Sequence, residues 1–135
     1  MTDINGTGMK RAALINDLSC IGKCSLSVAL PIVSACGVEA VALPTAVLST
    51  HTGGFEGYVV RDMTEEMRSF AAHWKQMGVH FDCIYTGYMS SPGQEQIAQK
   101  LMQNAPNAFR LVDPVLGDDG EMYQGLPETM IPALR

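Results

Sequence analysis

Short apolar runs alternate along this chain with segments whose apolar residues recur at helical spacing. Runs with the length and composition of buried strands occupy residues 12–15, 38–43, 83–86 and 109–112. Segments with helical spacing lie between and after them, at residues 24–36, 64–77, 92–104 and 127–134. This alternation predicts an α/β fold, with a mostly parallel sheet flanked by helices on both faces.

The segment after the second predicted strand is unusual in length and composition. Pro44 is expected to end that strand, because proline has no backbone N–H to donate. Residues 45–58 then form a long loop rich in Thr and Gly, and loops of this kind are often functional. Gly53 and Gly54 supply a flexible joint, so this loop is expected to cover a substrate.

Composition excludes several classes of partner. The chain has 135 residues, the size of one ordinary domain, and a net charge of −5 with nine scattered Lys and Arg residues, so nucleic acid is not expected. No apolar stretch approaches the ~20 residues that span a bilayer, so no membrane contact is expected. Residues 1–9 are polar and lack the order of a secretory signal, and we predict a flexible lead-in there.

The cysteine pattern indicates whether the protein works in a reducing or an oxidising compartment. They show no paired CxxC spacing and no companion His cluster, and most lie in apolar stretches: Cys20, Cys24, Cys36 and Cys83. We therefore predict buried thiols in a reducing, cytoplasmic environment rather than a disulfide framework.

Candidate ligand-binding residues collect where the predicted strands end. In open α/β sheets, ligands bind outside the carboxyl ends of the strands. Small polar residues in the first turn and the long loop, and a tyrosine after the third strand, are therefore candidate substrate-binding residues: Asp17, Ser19, Thr45, Ser49, His51 and Tyr88. A plain turn with a helix cap remains the alternative for residues 16–27, and His51 can equally be an ordinary surface residue.

Acidic residues follow the fourth predicted strand in the segment LVDPVLGDDGEMY. Asp113 ends the strand, and Pro114, Gly117 and Gly120 force the chain to turn while exposing Asp118. Carboxylate oxygens suit Mg²⁺, which proteins hold through one or two carboxylates together with substrate phosphates. The alternative is that Asp113 caps the turn and the other acids face solvent.

Four segments together resemble the pyridoxal/pyridoxamine kinase family of the ribokinase-like superfamily: NDLSCIGKCSLSVALPI, LPTAVLSTHTGGFEG, YTGYMSS and DPVLGDDGEMY. That family transfers the γ-phosphoryl group of ATP to the 5′-hydroxymethyl group of pyridoxal, pyridoxamine or pyridoxine. The resemblance implies that Asp17 contacts the substrate hydroxyl, although many relatives have Ser in the corresponding turn. It also implies that Thr45, His51 and Tyr88 line the pyridine pocket, and that Asp113 lies near the metal and phosphates.

The resemblance covers residues 10–135 and implies the N-terminal part of a ribokinase-like kinase domain. Family members continue into ATP-binding loops and a glycine-rich turn carrying the catalytic base, so we expect no catalytic residue in this chain and no activity from it alone. ATP and Mg²⁺ are the implied co-substrate and cofactor, and a homodimer is the implied assembly. Two alternatives stay open: a hydroxymethylpyrimidine kinase of thiamine synthesis, and a ligand-binding fragment without catalysis.

Overall fold

The structure is a computed structural model that describes residues 5–6 and 8–134. The predicted lead-in, residues 1–9, lies partly outside the described residues. Within it, Asn5 donates its Nδ2 to the carbonyl of Gly78 at 2.9 Å and accepts the N–H of His80 at 3.2 Å. These two hydrogen bonds attach Asn5 to the turn between a helix and a strand of the main fold.

The described residues form one five-stranded sheet, a two-stranded hairpin and helices that pack on the sheet. In chain order the elements are β1 (Arg11–Ile21), α1 (Leu26–Ala35), β2 (Glu39–Thr50), β3 (Val60–Asp62), α2 (Thr64–Gln76), β4 (Cys83–Thr86), α3 (Pro92–Asn104), β5 (Phe109–Val112), β6 (Gly117–Asp118), β7 (Glu121–Met122) and α4 (Met130–Ala133). The sheet order is β3-β2-β1-β4-β5, and only the edge strand β3 is antiparallel to its neighbour. The predicted α/β class and mostly parallel sheet are confirmed.

Alternating residues of β1 supply the two layers of the core. Ala12 and Leu14 pack with Leu26 under α1 on one face. Ala13 and Ile15 belong to the larger cluster on the other face, under α2, α3 and α4. Successive side chains of a strand point to opposite faces, which is why an unbroken apolar run forms a strand buried on both sides. Among the described residues, no helix is long and apolar enough to cross a bilayer.

The prediction that Pro44 ends the second strand is wrong, because β2 continues to Thr50. Asn16 of β1 pairs with Pro44, whereas Leu18 pairs with Val47, so the register shifts between these pairs. One residue of β1 therefore faces two of β2, as in a β-bulge. Pairing resumes after this irregularity, and the predicted long loop shrinks to residues 51–59.

Several local predictions also need correction. The short edge strand β3 was not predicted, and the last helix is limited to Met130–Ala133. The N-cap of α2 is Met63, which makes no side-chain capping bond, while Oδ1 of Asp62 accepts the N–H of Thr64 at 2.9 Å. A carboxylate in the preceding strand thus satisfies one N–H group of the first helical turn.

The prediction of buried thiols is wrong as well. Cys20 and Cys36 are exposed, Cys24 and Cys83 are only partly buried, and all are free. Cys20 lies where β1 extends beyond β4, and Cys36 is the C-cap of α1, so neither is covered by the opposite layer.

Asp82 joins the start of β1 to the strand beside it, and it should make stability depend on pH. Its carboxylate accepts from Lys10 Nζ and from the N–H of Arg11, each at 2.9 Å, and the Lys10 hydrogen bond is the main reason that its pKa is lowered. A lowered folded-state pKa contributes stability above the unfolded value near 4, and this stability is lost as pH falls through the folded value.

We therefore expect Asp82→Asn to lower the free energy of unfolding at pH 7 by about 1 kcal/mol or less, because the Lys10 side chain is largely solvent-exposed. At pH 3 the difference from the unsubstituted protein should shrink. Urea unfolding at both pH values checks this, with the exposed Glu128→Gln as control. An equal loss at pH 7 and pH 3 would contradict the assignment.

Candidate active site

Asn16 connects β1, just past its last pair with β4, to the turn that follows β4. Its Oδ1 accepts the N–H of Tyr88 at 2.8 Å and the N–H of Asp17 at 3.0 Å, and its side chain is buried. The close approach of the Asn16 side chain to this turn requires Gly87, because a Cβ at that position would overlap the carboxamide of Asn16. This part of β1 and the Gly87-Tyr88 segment are therefore held together by one buried side chain.

Thr45 holds the same tyrosine from the other side. Its hydroxyl donates to the carbonyl of Tyr88 at 2.8 Å, and the residue is completely buried. Thr45 therefore contacts the backbone of the Tyr88 turn from the buried interior. Its predicted contact with a substrate stays a prediction, while its contact with Tyr88 fixes the position of that peptide.

Asp17 and Ser19 lie inside β1, which continues to Ile21 and does not end before Asn16 as predicted, and Tyr88 lies beside Asp17. The Ser19 hydroxyl donates to Asp17 Oδ2 at 3.3 Å. Burial raises the pKa of the Tyr88 phenol, and the nearby carboxylate of Asp17, then Tyr58 and Asp62, raise it further. The phenol therefore stays protonated at neutral pH and can donate a hydrogen bond, while Asp17 offers an acceptor beside it.

Ser49 and His51 form the base of the loop over residues 51–59. Ser49 exchanges two hydrogen bonds with Val59, through its N–H at 2.9 Å and its Oγ at 2.8 Å. His51 Nδ1 accepts the N–H of Gly53 at 3.1 Å, and its Cβ lies close above Gly22. Both residues shape the loop, and their contact with a substrate stays a prediction.

The two predicted metal or phosphate ligands follow the edge strand β5 in the chain, two strands away from β1 in the sheet. The N–H of Asp113 donates to the carbonyl of Thr86 at 2.9 Å, and its side chain is exposed. Asp118 is exposed in β6, where it accepts the N–H of Asp119 at 3.0 Å. Two strand spacings separate β5 from β1, about 10 Å.

The described residues contain no group of three or more His, Cys, Asp or Glu side chains placed to hold a metal ion. Magnesium commonly keeps several waters and takes only one or two protein carboxylates, with phosphates completing its shell. The exposed carboxylates of Asp113 and Asp118 fit that incomplete set of ligands. Two cavities of about 190 Å³ lie elsewhere, and neither is lined by Asp17 or Tyr88.

No protein-family model matches the chain. Over 108 residues it is 29% identical to a protein of Schizosaccharomyces pombe provisionally named a pyridoxal kinase, with 73% of this chain and 33% of that protein covered. A solved Bacteroides thetaiotaomicron protein, provisionally named a phosphomethylpyrimidine kinase, is 40% identical with a TM-score of 0.89, over 96% of this chain and 45% of that one. An orthorhombic crystal form of the latter contains pyridoxal, and there the identity is 41%.

The pyridoxal kinase of Lactobacillus plantarum is 36% identical, with a TM-score of 0.88, over 93% of this chain and 45% of that one. This chain has the ribokinase-like fold of the pyridoxal kinases. The resemblance predicted from the sequence motifs is confirmed, and the chain spans a third to somewhat under half of the length of these relatives. The Leishmania donovani pyridoxal kinase, solved with ADP and pyridoxamine, shares the fold at 21% identity with a TM-score of 0.76.

Sequence reasoning missed three residues of this candidate site: Tyr58, Asp62 and Gln94. Asp62 is the last residue of β3 and Tyr58 lies just before that strand, which is too short to give a periodic signal. Gln94 did have a signal, because Ser91-Pro92-Gly93-Gln94 is a capping box of the form S-x-x-Q. The capping box predicts that Gln94 turns back toward the residues before α3, and in the structure it reaches Ser90 at 2.9 Å.

Proposed function

We propose that this chain forms the substrate-binding part of a kinase that transfers the γ-phosphoryl group of ATP to the 5′-hydroxymethyl group of a B6 vitamer. The observation that carries the proposal is the adjacency of Asp17, Ser19 and Tyr88 beside the carboxyl end of β4, where β1 continues past its last pair with that strand. Ligands of open parallel sheets bind at this edge. A relative of 41% identity solved with pyridoxal supports the choice of ring.

Each side chain has a role that follows from its chemistry. The Asp17 carboxylate accepts a hydrogen bond from the substrate hydroxyl, and Ser19 orients that carboxylate through its 3.3 Å contact. Tyr88 packs its ring against the flat pyridine, as aromatic pairs do in offset stacking. Ser49, His51 and the loop they support cover the ring, while Thr45 holds the tyrosine from behind.

Asp113 and Asp118 are proposed to be the residues that would hold Mg²⁺ near the phosphates. The metal would neutralise charge on the transferred group, while the protein's contribution is positioning. The catalytic base and the nucleotide-binding loops are proposed to come from residues other than those described. On this proposal the isolated chain binds a vitamer but does not phosphorylate it.

Titration of this chain with pyridoxal tests the proposal. Asp17→Asn keeps the size of the side chain but removes its charge, and should weaken pyridoxal binding at least about tenfold, or about 1.4 kcal/mol. Asp119→Asn is the matched control, because Asp119 is exposed and asparagine tolerates its positive φ of 48°. Equal affinity of the Asp17 variant and the unsubstituted chain would refute the assigned contact.

A hydroxymethylpyrimidine kinase is the second candidate, because the relative of 40% identity carries a phosphomethylpyrimidine kinase name. Competition between pyridoxal and hydroxymethylpyrimidine for this chain separates the two, since the proposed function requires pyridoxal to bind more tightly. Pyridoxal binding by a full-length protein that shows no ATP turnover would instead favour the third candidate, a ligand-binding protein without catalysis.

The proposed protein is a cytoplasmic homodimer. A homodimer rests on the family resemblance, and sedimentation velocity on the full-length protein tests it. A cytoplasmic location is supported by the four free cysteines, which fit a reducing compartment.

A further inference from the structure

We propose that Gln94 is a positioning residue that fixes the Tyr88 turn, and thereby the ring that faces the ligand. The inference rests on the proposed function and deepens it. Gln94 lies in the first turn of α3 and has no exposed surface, whereas the other glutamines of that helix are exposed. A buried amide must find partners for each of its polar atoms, so its contacts define where it acts.

The Gln94 amide joins three parts of the chain. Its Nε2 donates to the Thr45 carbonyl at 2.9 Å, to Thr64 Oγ1 at 3.0 Å and to Asp62 Oδ2 at 3.1 Å. Its Oε1 accepts the N–H of Ser90 at 2.9 Å. One side chain therefore connects β2, the β3–α2 junction and the turn that carries Tyr88.

Asp62 supplies the charge in this cluster. Partial burial acts to raise the pKa of Asp62, but hydrogen bonds from Thr64 and Ser90 outweigh it and lower the pKa. Its Oδ2 accepts the Ser90 hydroxyl at 2.8 Å in addition to the Gln94 amide. The carboxylate is therefore ionised at neutral pH, and it needs a donor, not a second acceptor, at position 94.

The tyrosine turn is held at four points by these groups. Asn16 accepts the Tyr88 N–H, and Thr45 donates to the Tyr88 carbonyl. Two residues further on, Gln94 accepts the Ser90 N–H and Asp62 accepts the Ser90 hydroxyl. With both ends fixed, the Tyr88 side chain projects from a peptide that has little freedom to move.

Gln94 also stabilises the irregularity in β2 that places Thr45. The register shift after Pro44 releases the Thr45 carbonyl from regular pairing, and it accepts from the Gln94 amide and from the N–H of Met63 at 3.0 Å. Loss of the amide would leave that carbonyl with one partner fewer. The hydroxyl of the same residue would then hold Tyr88 less firmly.

Gln94→Glu tests the inference, because it brings a second carboxylate against Asp62. Amide hydrogen exchange over residues 87–91 should accelerate at least tenfold, and pyridoxal should bind at least tenfold more weakly. Gln96→Glu, the same substitution at an exposed position of α3, should change neither. Combining Asp62→Asn with Gln94→Glu restores a donor opposite an acceptor, and should recover part of both losses.

Leu101→Ala distinguishes a positioning role of Gln94 from a purely structural one. This substitution creates a cavity at a buried position of α3 away from the Tyr88 turn. It should lower the melting temperature without selectively accelerating exchange over residues 87–91 or weakening pyridoxal binding in the folded protein. Should Gln94→Glu fail to fold, the neutral Gln94→Met serves instead, with a smaller change expected in the same direction.

Unchanged exchange over residues 87–91 in a folded Gln94 variant would overturn the inference, whatever the affinity. So would an acceleration that Leu101→Ala reproduces. If the unsubstituted chain does not bind pyridoxal at all, the proposed function fails for this chain, while the exchange data still decide whether Gln94 holds the turn.

Discussion

Gly87→Ala is expected to abolish pyridoxal binding and to lower the free energy of unfolding by about 2–4 kcal/mol. The added methyl group would occupy the space of the Asn16 carboxamide. Asn16 is buried and its Oδ1 accepts from the N–H groups of Asp17 and Tyr88, so displacing it breaks both hydrogen bonds together. Isothermal titration with pyridoxal and urea unfolding measure the two effects.

Gly93→Ala is the matched control for this substitution. A Cβ at Gly93 would meet only Ser91 Oγ, at an ordinary 3.6 Å, and the position lies in the first turn of α3. Alanine there should leave binding intact and stabilise the helix by up to about 1 kcal/mol. Normal pyridoxal affinity in the Gly87 variant would show that the Asn16 contact can shift at little cost, and would remove the structural basis of the site.

Phe109→Lys combined with Leu111→Lys is expected to abolish species larger than a dimer. Without these substitutions, pairing through the β5 edge would join the proposed homodimers to one another. Among the described residues, β5 pairs with β4 alone, so its other edge presents unpaired N–H and C=O groups. Phe109 is 67% and Leu111 49% exposed on the same face of that strand. An apolar open edge is a template for pairing with another chain, and lysine opposes such pairing.

Sedimentation velocity over a range of concentrations checks this expectation. The unsubstituted chain should form large species that grow with concentration, and the double variant should not. Val28→Lys with Ile32→Lys adds the same charge to exposed apolar residues of α1 and should leave the large species in place. A small, concentration-independent species for the unsubstituted chain would mean that the β5 edge is protected in solution.

The pattern of strands and helices was predictable because each buried strand is an apolar run and each long helix has an apolar side. Residues 83–86, 92–104 and 109–112 were placed with the bounds that the structure has. The neighbourhood of Asp17 and Tyr88 followed from topology, because β4 ends beside Ile15 of β1, although β1 itself continues to Ile21 and does not end before Asn16. These predictions needed no knowledge of individual contacts.

The remaining features depend on contacts between residues far apart in sequence. Pro44 is a local signal for the end of a strand, yet a register shift against β1 lets β2 continue. The predicted ligand contact of Thr45 stays a prediction, whereas the hydrogen bond from its hydroxyl to the Tyr88 carbonyl, 43 residues away, gave no sequence signal. The burial of Gln94 among Thr45, Asp62 and Thr64 likewise follows from packing, which the capping-box pattern cannot encode.

The paired hydrogen bonds between Ser49 and Val59 close the base of the loop over residues 51–59, and His51 donates its N–H to the Ile21 carbonyl at the end of β1 at 2.7 Å. Because β2 and β3 are already in register at the base of the loop, we expect that the loop sequence can be exchanged on a fixed frame. Grafting the corresponding stretch from a kinase of different ring preference should then alter ligand choice without disturbing strand pairing. Ligand selectivity can then change through the β2–β3 loop alone, while the sheet that carries the loop stays the same.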